Sequence, residues 1–249
     1  MDMNIATRVA AITGGGGAIG RASARMLAAE GAAVALLDLS EEAMATAQQE
    51  IETAIPGAKV FTHTCDVTSA GSVTAAFAAV EQALGPVDIL VNNAGFSRDK
   101  YMTRMVEEDW DIVHSVVLKG AFHCCRAVLP GMMERNWGRI VNMSSMARLG
   151  NKGQTNYSSA KAGLIGMTNA LAREAGAFNI TVNAIAPSLV STPRLRARPD
   201  YDKLEARSKS LTALPRLADE TDVARIVVFF ASSLADFITA QCIDVSGGR

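Results

Sequence analysis

Near its N-terminus the sequence reads Thr13-Gly14-Gly15-Gly16-Gly17-Ala18-Ile19-Gly20. An apolar run at 9–13 leads into this stretch, and an amphipathic segment at 19–30 begins within it. Glycines between a strand and a helix let the backbone turn tightly and approach a phosphate group, whose negative charge the helix N-terminus favours. The stretch therefore predicts a strand, a phosphate-binding turn and a helix, in that order.

The same alternation of short apolar runs and longer amphipathic segments continues along the whole chain. The apolar runs lie at 9–13, 33–37, 59–62, 89–92, 139–143, 181–185 and 243–245, and the amphipathic segments lie at 19–30, 41–54, 72–84, 108–134, 158–178 and 220–234. Strands that are apolar along nearly their whole length are typical of a parallel sheet with helices on both faces. We predict one α/β domain over residues 1–249, with a doubly wound, seven-stranded parallel sheet.

Residues 189–215 interrupt this alternation, because they hold three prolines, many charges and only a weak helical pattern. Long irregular insertions in compact domains are often lids or binding loops. We therefore expect this segment to be a substrate lid.

The composition excludes several classes of protein. Hydrophobic residues make up 49% of the 249 residues and charged residues 20%, which is too apolar for a disordered chain. Lys and Arg total 24 against 25 Asp and Glu, which argues against a dedicated nucleic-acid binder. No apolar run approaches the ~18 residues of a membrane span, and no signal-peptide pattern opens the chain. We expect a soluble cytoplasmic protein with no membrane partner.

Cysteine and histidine form no pattern typical of a metal site. The four cysteines show no CxxC spacing, and the three histidines belong to no HExxH motif or Cys/His cluster. We expect no metal, and free thiols in a reducing compartment.

Asp38 stands at the end of the second predicted strand, 18 residues beyond Gly20. A carboxylate there can accept hydrogen bonds from the ribose hydroxyls of a dinucleotide, and it would repel a 2′-phosphate. Neither the glycine-rich turn nor Leu39 and Ser40 supplies an Arg or Lys that could bind such a phosphate. The predicted cofactor is therefore NAD rather than NADP.

Tyr157 and Lys161 are four residues apart and share one face of a predicted helix. A lysine ammonium beside a phenol stabilises the phenolate and lowers its pKa, which prepares the tyrosine to transfer a proton. The strand before this helix ends in Asn142-Met143-Ser144-Ser145, where a serine hydroxyl could orient a substrate oxygen.

Taken together, these features resemble the short-chain dehydrogenase/reductase family over nearly the whole chain. The resemblance is carried by Thr13–Gly20, Asp38, Cys65-Asp66-Val67, Asn92-Asn93-Ala94-Gly95, Asn142–Ser145, Tyr157 with Lys161, and Pro187-Ser188-Leu189-Val190-Ser191-Thr192. It implies a homotetrameric, single-domain Rossmann enzyme whose catalytic residues are Ser145, Tyr157 and Lys161. The cofactor-binding residues that it implies are Gly14, Gly17, Ile19, Gly20, Asp38, Asp66, Val67, Asn93, Ala94, Gly95, Tyr157, Lys161, Pro187, Val190 and Thr192.

The choice of serine rests on the strand. The family's commoner spacing, counted back from Tyr157, gives Ser144, whereas alignment of the strand gives Ser145. Loops absorb deletions, but a strand that slips by one residue reverses every side chain. We therefore expect Ser145 to be the catalytic hydroxyl.

The sequence departs from the family pattern at three positions. Ala18 replaces a glycine of the phosphate-binding turn, and Ser188 replaces the glycine that usually follows Pro187. Val117 stands where the family motif Asn-Leu-x-Gly has its asparagine, which supports a water-linked proton relay from the lysine. A water or a backbone group must replace that asparagine here, or proton exchange with solvent slows.

The resemblance implies an NAD-dependent oxidoreductase that interconverts a secondary alcohol and a ketone. The stretch 186–190 is similar to that of 1-phenylethanol-type dehydrogenases, which favours an aryl or cyclic alcohol. The expected substrate contacts are Phe96, Tyr101, Met146, Arg148 and Leu189. Two alternatives remain: a 3-oxoacyl-ACP reductase, which 96–100 and 150–154 resemble, and a non-catalytic NAD-binding scaffold or sensor.

Overall fold

Seven parallel strands form one sheet in the order β3-β2-β1-β4-β5-β6-β7, in a computed structural model that describes residues 3–249. The strands are β1 (Val9–Thr13), β2 (Ala33–Asp38), β3 (Val60–Thr64), β4 (Ile89–Asn92), β5 (Gly138–Met143), β6 (Ile180–Pro187) and β7 (Cys242–Val245). The chain proceeds outward from β1 to β3, returns to place β4 beside β1, and then proceeds outward to β7. This confirms the predicted doubly wound α/β sheet.

Helices cover both faces of the sheet. They are α1 (Ala18–Ala29), α2 (Glu41–Ala54), α3 (Ala70–Leu84), α4 (Glu107–His114), α5 (Gly120–Glu134), α6 (Thr155–Ala175), α7 (Pro193–Arg196), α8 (Tyr201–Lys209) and α9 (Glu220–Ala231). Ile12 packs into the core beneath α1, α2 and α9, whereas its neighbour Ala11 packs into the core beneath α3, α5 and α6. Because successive strand residues enter opposite cores, both must be apolar.

Side chains cap the N-termini of α2, α3 and α9. Ser40 accepts a hydrogen bond from the amide of Ala43 at the start of α2. Asp219 forms a capping box with Asp222 at the start of α9. Helix α1 differs, because it begins after Gly17 and no side chain caps it.

The segment predicted as one helix over 108–134 is continuous but not regular. Residues Ser115–Lys119 form a π-helical segment between α4 and α5. The complete helix is long and apolar enough to cross a membrane by length and composition alone, a test that core helices also pass. Here it packs Cys124, Val128 and Met132 into the core on one face of the sheet, and Val113 into a small cluster with Val117 and Ala160.

Residues 189–215, the segment predicted to be a lid and called the lid below, are more ordered than their sequence predicts. The lid contains α7 and α8, and a parallel bridge joins Val190 to Ala218. Thr192 caps α7 by accepting from the amide of Leu195, and Pro193 occupies the first turn of that helix, where no amide donor is needed. Pro193 therefore begins a short helix here rather than excluding one.

We expect Gly20→Ala to lower the free energy of unfolding by roughly 1–3 kcal/mol, as overpacking typically does. A Cβ at this position would lie 2.2 Å from the carbonyl oxygen of Gly14. The matched control is Gly166→Ala inside α6, where an added Cβ meets nothing within 4 Å. This control should stabilise the protein by ~0.5–1 kcal/mol through helix propensity. Urea titration measures both, and a stabilised Gly20→Ala variant would contradict the structure.

Candidate active site

A cavity of about 1260 Å³ lies between the sheet and the lid, at the carboxyl ends of the strands. Its walls are the glycine-rich turn, the residues that follow β2, β3, β4, β5 and β6, and the lid. The strand order reverses between β1 and β4, and crevices at such switch points are where open parallel sheets bind ligands. The cavity is therefore the candidate active site.

The glycine-rich turn fits the pyrophosphate of a dinucleotide. Gly14 has a φ of 64°, which a residue with a side chain rarely adopts. Because α1 has no side-chain cap, its first-turn amides have no side-chain acceptor, and Gly17, Ala18 and Ile19 line the cavity there. Phosphate oxygens are the acceptors that such amides favour. Gly20 lies beneath the turn rather than at the cavity wall, so its contribution is to let α1 approach Gly14.

Asp38 lines the cavity beside this turn, and backbone amides fix its carboxylate. One carboxylate oxygen accepts from the amide of Gly16 at 3.0 Å, and the other accepts from the amides of Leu39 at 2.8 Å and Ser40 at 3.2 Å. A carboxylate has about four lone-pair sites, so it can still accept from a ribose hydroxyl. The arrangement suits the role predicted for Asp38.

The residues after β3 and β4 form the floor of the cavity. The side-chain amide of Asn93 donates to the carbonyl oxygens of Thr13 and Gly14, each at 3.0 Å, and so ties β4 to the glycine-rich turn. Asp66 accepts from the amide and the hydroxyl of Thr68, at 2.9 and 2.7 Å, and lines the cavity with Val67. Asn93 therefore shapes the site through the backbone that it holds.

Tyr157 and Lys161 both line the cavity, with the Lys161 Nζ 5.5 Å from the centre of the Tyr157 ring. The ammonium is buried and donates to the backbone carbonyl of Met143 at the end of β5. Burial lowers the pKa of Lys161 to about 7. Lys161 is the lysine that the motif predicts, but its environment disfavours the charge on which the predicted effect depends.

Burial also raises the pKa of Tyr157 to about 12, where the sequence predicted a lowered value. Desolvation of the phenolate is the largest cause, and the charge of Asp99 acts in the same direction. A hydrogen bond from Ser145 opposes both, because it stabilises the charged oxygen. For the protein without a cofactor, the expectation that Lys161 lowers the pKa of Tyr157 is therefore wrong.

The two serines after β5 have different surroundings. The Ser144 hydroxyl is buried and donates to the backbone carbonyl of Lys161 at 2.9 Å. The Ser145 hydroxyl lies beside Tyr157, lowers its pKa, and accepts from the amide of Ala147 at 3.1 Å. The geometry therefore favours Ser145 as the hydroxyl that can meet a substrate oxygen.

Val117 lies in the π-helical segment and is almost fully buried. It packs with Val113 and Ala160, against Tyr157. A Cβ on Gly95 would lie 3.3 Å from a Val117 methyl group and 3.4 Å from the Lys161 Nζ. The apolar side chain thus fills the space beside the lysine and offers no polar atom to a relay.

The cavity brings together nearly all the predicted residues. Among the predicted substrate contacts, Phe96, Tyr101, Met146 and Leu189 line it, but Arg148 does not. The Arg148 guanidinium instead donates to both carboxylate oxygens of Asp244, at 2.8 and 3.0 Å, outside the cavity. The cavity also contains residues that sequence reasoning missed: Asp99, Lys152, Gln154, Arg194, Arg198, Arg207, Ser208 and Arg249. The high proportion of arginine in residues 194–207 was the sequence feature that could have indicated the arginines of this set.

A family model described as "Enoyl-(Acyl carrier protein) reductase" matches residues 15–249. The chain belongs to the short-chain dehydrogenase/reductase family. It is 40% identical over 249 residues to the 3-oxoacyl-[acyl-carrier-protein] reductase FabG of Thermotoga maritima, which covers 99% of each chain. As a member of this family, the protein is an oxidoreductase that binds a nicotinamide dinucleotide.

Two further members are similar along almost their whole length. Subunit BbsD of the (2S)-[(R)-hydroxy(phenyl)methyl]succinyl-CoA dehydrogenase of Thauera aromatica is 40% identical over 247 residues, covering 99% of this chain and 98% of that one. The crystal structure of levodione reductase matches with a TM-score of 0.93 at 31% identity, covering 97% of both chains.

We expect the stability of this short-chain dehydrogenase/reductase to rise with pH above about 7, because of Lys161. The native pKa is about 7 against an ordinary 10.5, so between these values the unfolded state binds more protons. The slope can reach ~1.4 kcal/mol per pH unit for one group. Lys161→Met should remove this rise, whereas Lys119→Met, at an exposed position in the preceding helix, should keep it.

Urea titrations of the three proteins, from about pH 7 to about pH 9, measure these slopes. Parallel stability curves for the wild-type protein and Lys161→Met would contradict the assignment of Lys161 as the buried, desolvated cation.

Proposed function

We propose that the enzyme is an NAD-dependent dehydrogenase that interconverts a secondary alcohol, aryl or cyclic, with its ketone. The observation that carries this proposal is the meeting of Ser145, Tyr157 and Lys161 in one cavity with the glycine-rich turn and Asp38. One end of the cavity can hold a dinucleotide, and the other can hold and deprotonate a hydroxyl group.

In the proposed reaction, Tyr157 takes the proton of the substrate hydroxyl as the carbinol carbon loses hydride. Ser145 holds the substrate oxygen by a hydrogen bond, and the same hydroxyl favours the phenolate of Tyr157. Bound NAD supplies the hydride acceptor and a positively charged ring. Lys161 would hold the cofactor ribose and take the proton onward from Tyr157, and the Met143 carbonyl orients the Lys161 Nζ for this role. In ketone reduction each proton moves in the reverse direction.

The absence of a polar side chain at Val117 leaves Met143 as the fixed acceptor for Lys161 within residues 3–249. A π-helical segment leaves backbone carbonyls with altered hydrogen bonding, and such segments are frequent at functional sites. We propose that a water held by this backbone replaces the asparagine of the family relay.

An apolar pocket supports an aryl or cyclic substrate. Phe96, Tyr101, Met146 and Leu189 all line the cavity, and Phe96 packs on the same small hydrophobic cluster as Tyr157. An aromatic ring of the substrate can replace water at these apolar surfaces. Leu189, from the 186–190 stretch that resembles 1-phenylethanol-type dehydrogenases, forms part of this wall.

Reduction of a 3-oxoacyl-ACP is the second candidate, because the chain is 40% identical to the FabG of Thermotoga maritima. The Asp38 carboxylate weighs against this candidate if the acyl reductase uses NADPH, as that subfamily generally does. Rates with an acetoacetyl thioester and each cofactor discriminate the two candidates.

We also propose a homotetramer in the cytoplasm. Phe122 in α5 is half-exposed and Phe237 is fully exposed, and aromatic side chains in such positions favour burial against another subunit. All four cysteines are free thiols, which suits a reducing compartment.

We expect Tyr157→Phe to lower kcat by ~10²–10⁴, because it removes the proton-transfer oxygen and keeps the ring. The dissociation constant of NADH should change little. Steady-state reduction of 4-hydroxyacetophenone measures kcat, and NADH fluorescence measures binding. A variant that retains more than about a tenth of the wild-type kcat would remove Tyr157 from the mechanism.

The two serines provide the matched control for this experiment. Ser145→Ala should lower kcat by at least about tenfold, and its effect on stability should be limited to the lost hydrogen bond from the Ala147 amide. Ser144→Ala should lower the free energy of unfolding by ~0.5–1.5 kcal/mol and change kcat much less, because it removes a buried hydrogen bond to the Lys161 carbonyl, which keeps its helical amide donor. The reverse pattern would assign the catalytic hydroxyl to Ser144.

We expect the wild-type enzyme to have a higher kcat/KM with NADH than with NADPH. Asp38→Ala should reduce that preference by at least about tenfold, because it removes a negative charge that faces the 2′-phosphate, and such a like charge costs several kcal/mol. Glu42→Ala is the control, because it removes the same charge from the exposed face of α2, away from the cavity. A higher kcat/KM with NADPH in the wild-type enzyme would contradict the proposed cofactor.

A further inference from the structure

A group of cationic side chains lines the cavity. It consists of Arg194, Arg198 and Arg207 from the lid, with Lys152 and Arg249 from outside the lid, and we call this set the cationic wall. The chain as a whole has a net charge of -1, so the wall is a local excess. Charge of one sign in a cleft attracts ligands of the opposite sign.

Few acidic groups neutralise the cationic wall. Within residues 3–249, the side chains of Arg194, Arg207, Arg249 and Lys152 form no ion pair, whereas Arg198 pairs with Asp200 at 2.8 Å. The acidic residues Asp38 and Asp66 line the cavity near the turn and the floor. The charge of Asp99 acts on Tyr157 and also on Arg198 of the wall, and Gln154 donates to both carboxylate oxygens of Asp99.

Ser208 in α8 gives an independent indication of a ligand. The residue is 4% exposed and lines the cavity, yet its buried hydroxyl oxygen has no hydrogen-bond partner within the described part of the chain. Buried hydroxyl groups without a partner are uncommon, because the interior offers no water to replace the bond. Arg207, the next residue back in α8, belongs to the cationic wall.

From these observations we infer that the cationic wall and Ser208 recognise an anionic group on the substrate, attached beyond the carbonyl that Tyr157 addresses. The inference rests on the proposed function and narrows its substrate to an anionic secondary alcohol or ketone. A carboxylate on a small ketone and the phosphates of a thioester carrier share this chemistry. Bonds from charged donors to such oxygens are stronger than bonds between neutral groups, above all where a lid excludes water.

Kinetics on a matched pair of ketones test the inference. The probes are 4-acetylbenzoate and its neutral methyl ester, each reduced with NADH. In the wild-type enzyme, kcat/KM for the anion should exceed that for the ester by at least about tenfold, the effect of one charge-assisted hydrogen bond. Arg207→Gln and Ser208→Ala should each reduce this preference at least about threefold. The reduction should appear in the KM of the anionic ketone rather than in kcat.

Lys203→Gln is the matched control, because it removes one positive charge from the same helix at an exposed position outside the cavity. It should keep the preference for the anion. An equal loss on both ketones in Arg207→Gln, accompanied by a raised KM for NADH, would show that the wall holds the cofactor and would overturn the inference. If Lys203→Gln lowered the preference for the anion as much as Arg207→Gln does, the preference would reflect general charge attraction. That result would also overturn the inference.

A binding measurement separates this inference from the proposed function. Calorimetric titration of the enzyme–NADH complex with 4-ethylbenzoate and with neutral 4-ethylbenzamide needs no turnover. Tighter binding of the anion, lost in Arg207→Gln, supports the inference even if no ketone is reduced, in which case the proposed function fails alone. Equal binding of the two overturns the inference while the proposed function stands.

The source of the anion is decided by a second pair of substrates. Acetoacetyl-CoA carries phosphates, whereas the N-acetylcysteamine thioester of acetoacetate is neutral. A preference for acetoacetyl-CoA that depends on Arg207 assigns the wall to a carrier phosphate, and a preference confined to 4-acetylbenzoate assigns it to a substrate carboxylate. Either result supports an anionic substrate. If the enzyme prefers the anionic member of neither pair, the inference is overturned.

Discussion

The ammonium of Lys161 is buried without a carboxylate partner within residues 3–249, and the geometry of the active site is arranged around it. Its fixed acceptor is the carbonyl of Met143, where β5 ends. Gly95 and Val117 leave room for the lysine stem but supply no polar atom. Burial therefore dominates the electrostatics: the pKa of Lys161 falls to about 7, and that of Tyr157 rises to about 12. Ser145 acts against this trend, so its hydroxyl is part of what makes the tyrosine usable as a base.

A chain of buried polar side chains holds this site in register with the sheet. The side-chain amide of Asn92, at the end of β4, donates to the side-chain oxygen Oδ1 of Asn142 at 2.8 Å. The side-chain amide of Asn142 in turn donates to the Thr168 hydroxyl at 2.9 Å. These bonds connect β4, β5 and α6, the helix that carries both Tyr157 and Lys161. Buried networks of this kind fix one arrangement because each member would otherwise lose its partner. The position of the proton-transfer group is thereby coupled to the strands that form the cavity floor.

The sequence predicts the sheet, the phosphate-binding turn and the Tyr-Lys pair because each is a local pattern: apolar runs, glycines between strand and helix, and a four-residue spacing. It does not predict features that depend on tertiary contacts. The π-helical segment packs Val117 against Ala160 and Tyr157, and in the lid the side chain of Thr192 caps α7. Arg148 pairs with Asp244, which lies 96 residues away in the chain. The pKa of Tyr157 depends on burial, which the motif alone does not contain.

Burial keeps Tyr157 protonated in the protein alone, and the proposed mechanism needs the positive charge of the bound nicotinamide dinucleotide to make it a base. The chain has three tyrosines, so a Tyr101→Phe, Tyr201→Phe double variant leaves Tyr157 as the one source of tyrosinate absorbance. Its ultraviolet titration, with and without NAD, tests the claim directly. The account predicts no tyrosinate up to about pH 10, the ordinary tyrosine pKa, in the protein alone, and one tyrosinate per chain well below that pH with NAD. A tyrosinate that forms near neutral pH without NAD, or the same titration curve in both states, would contradict it.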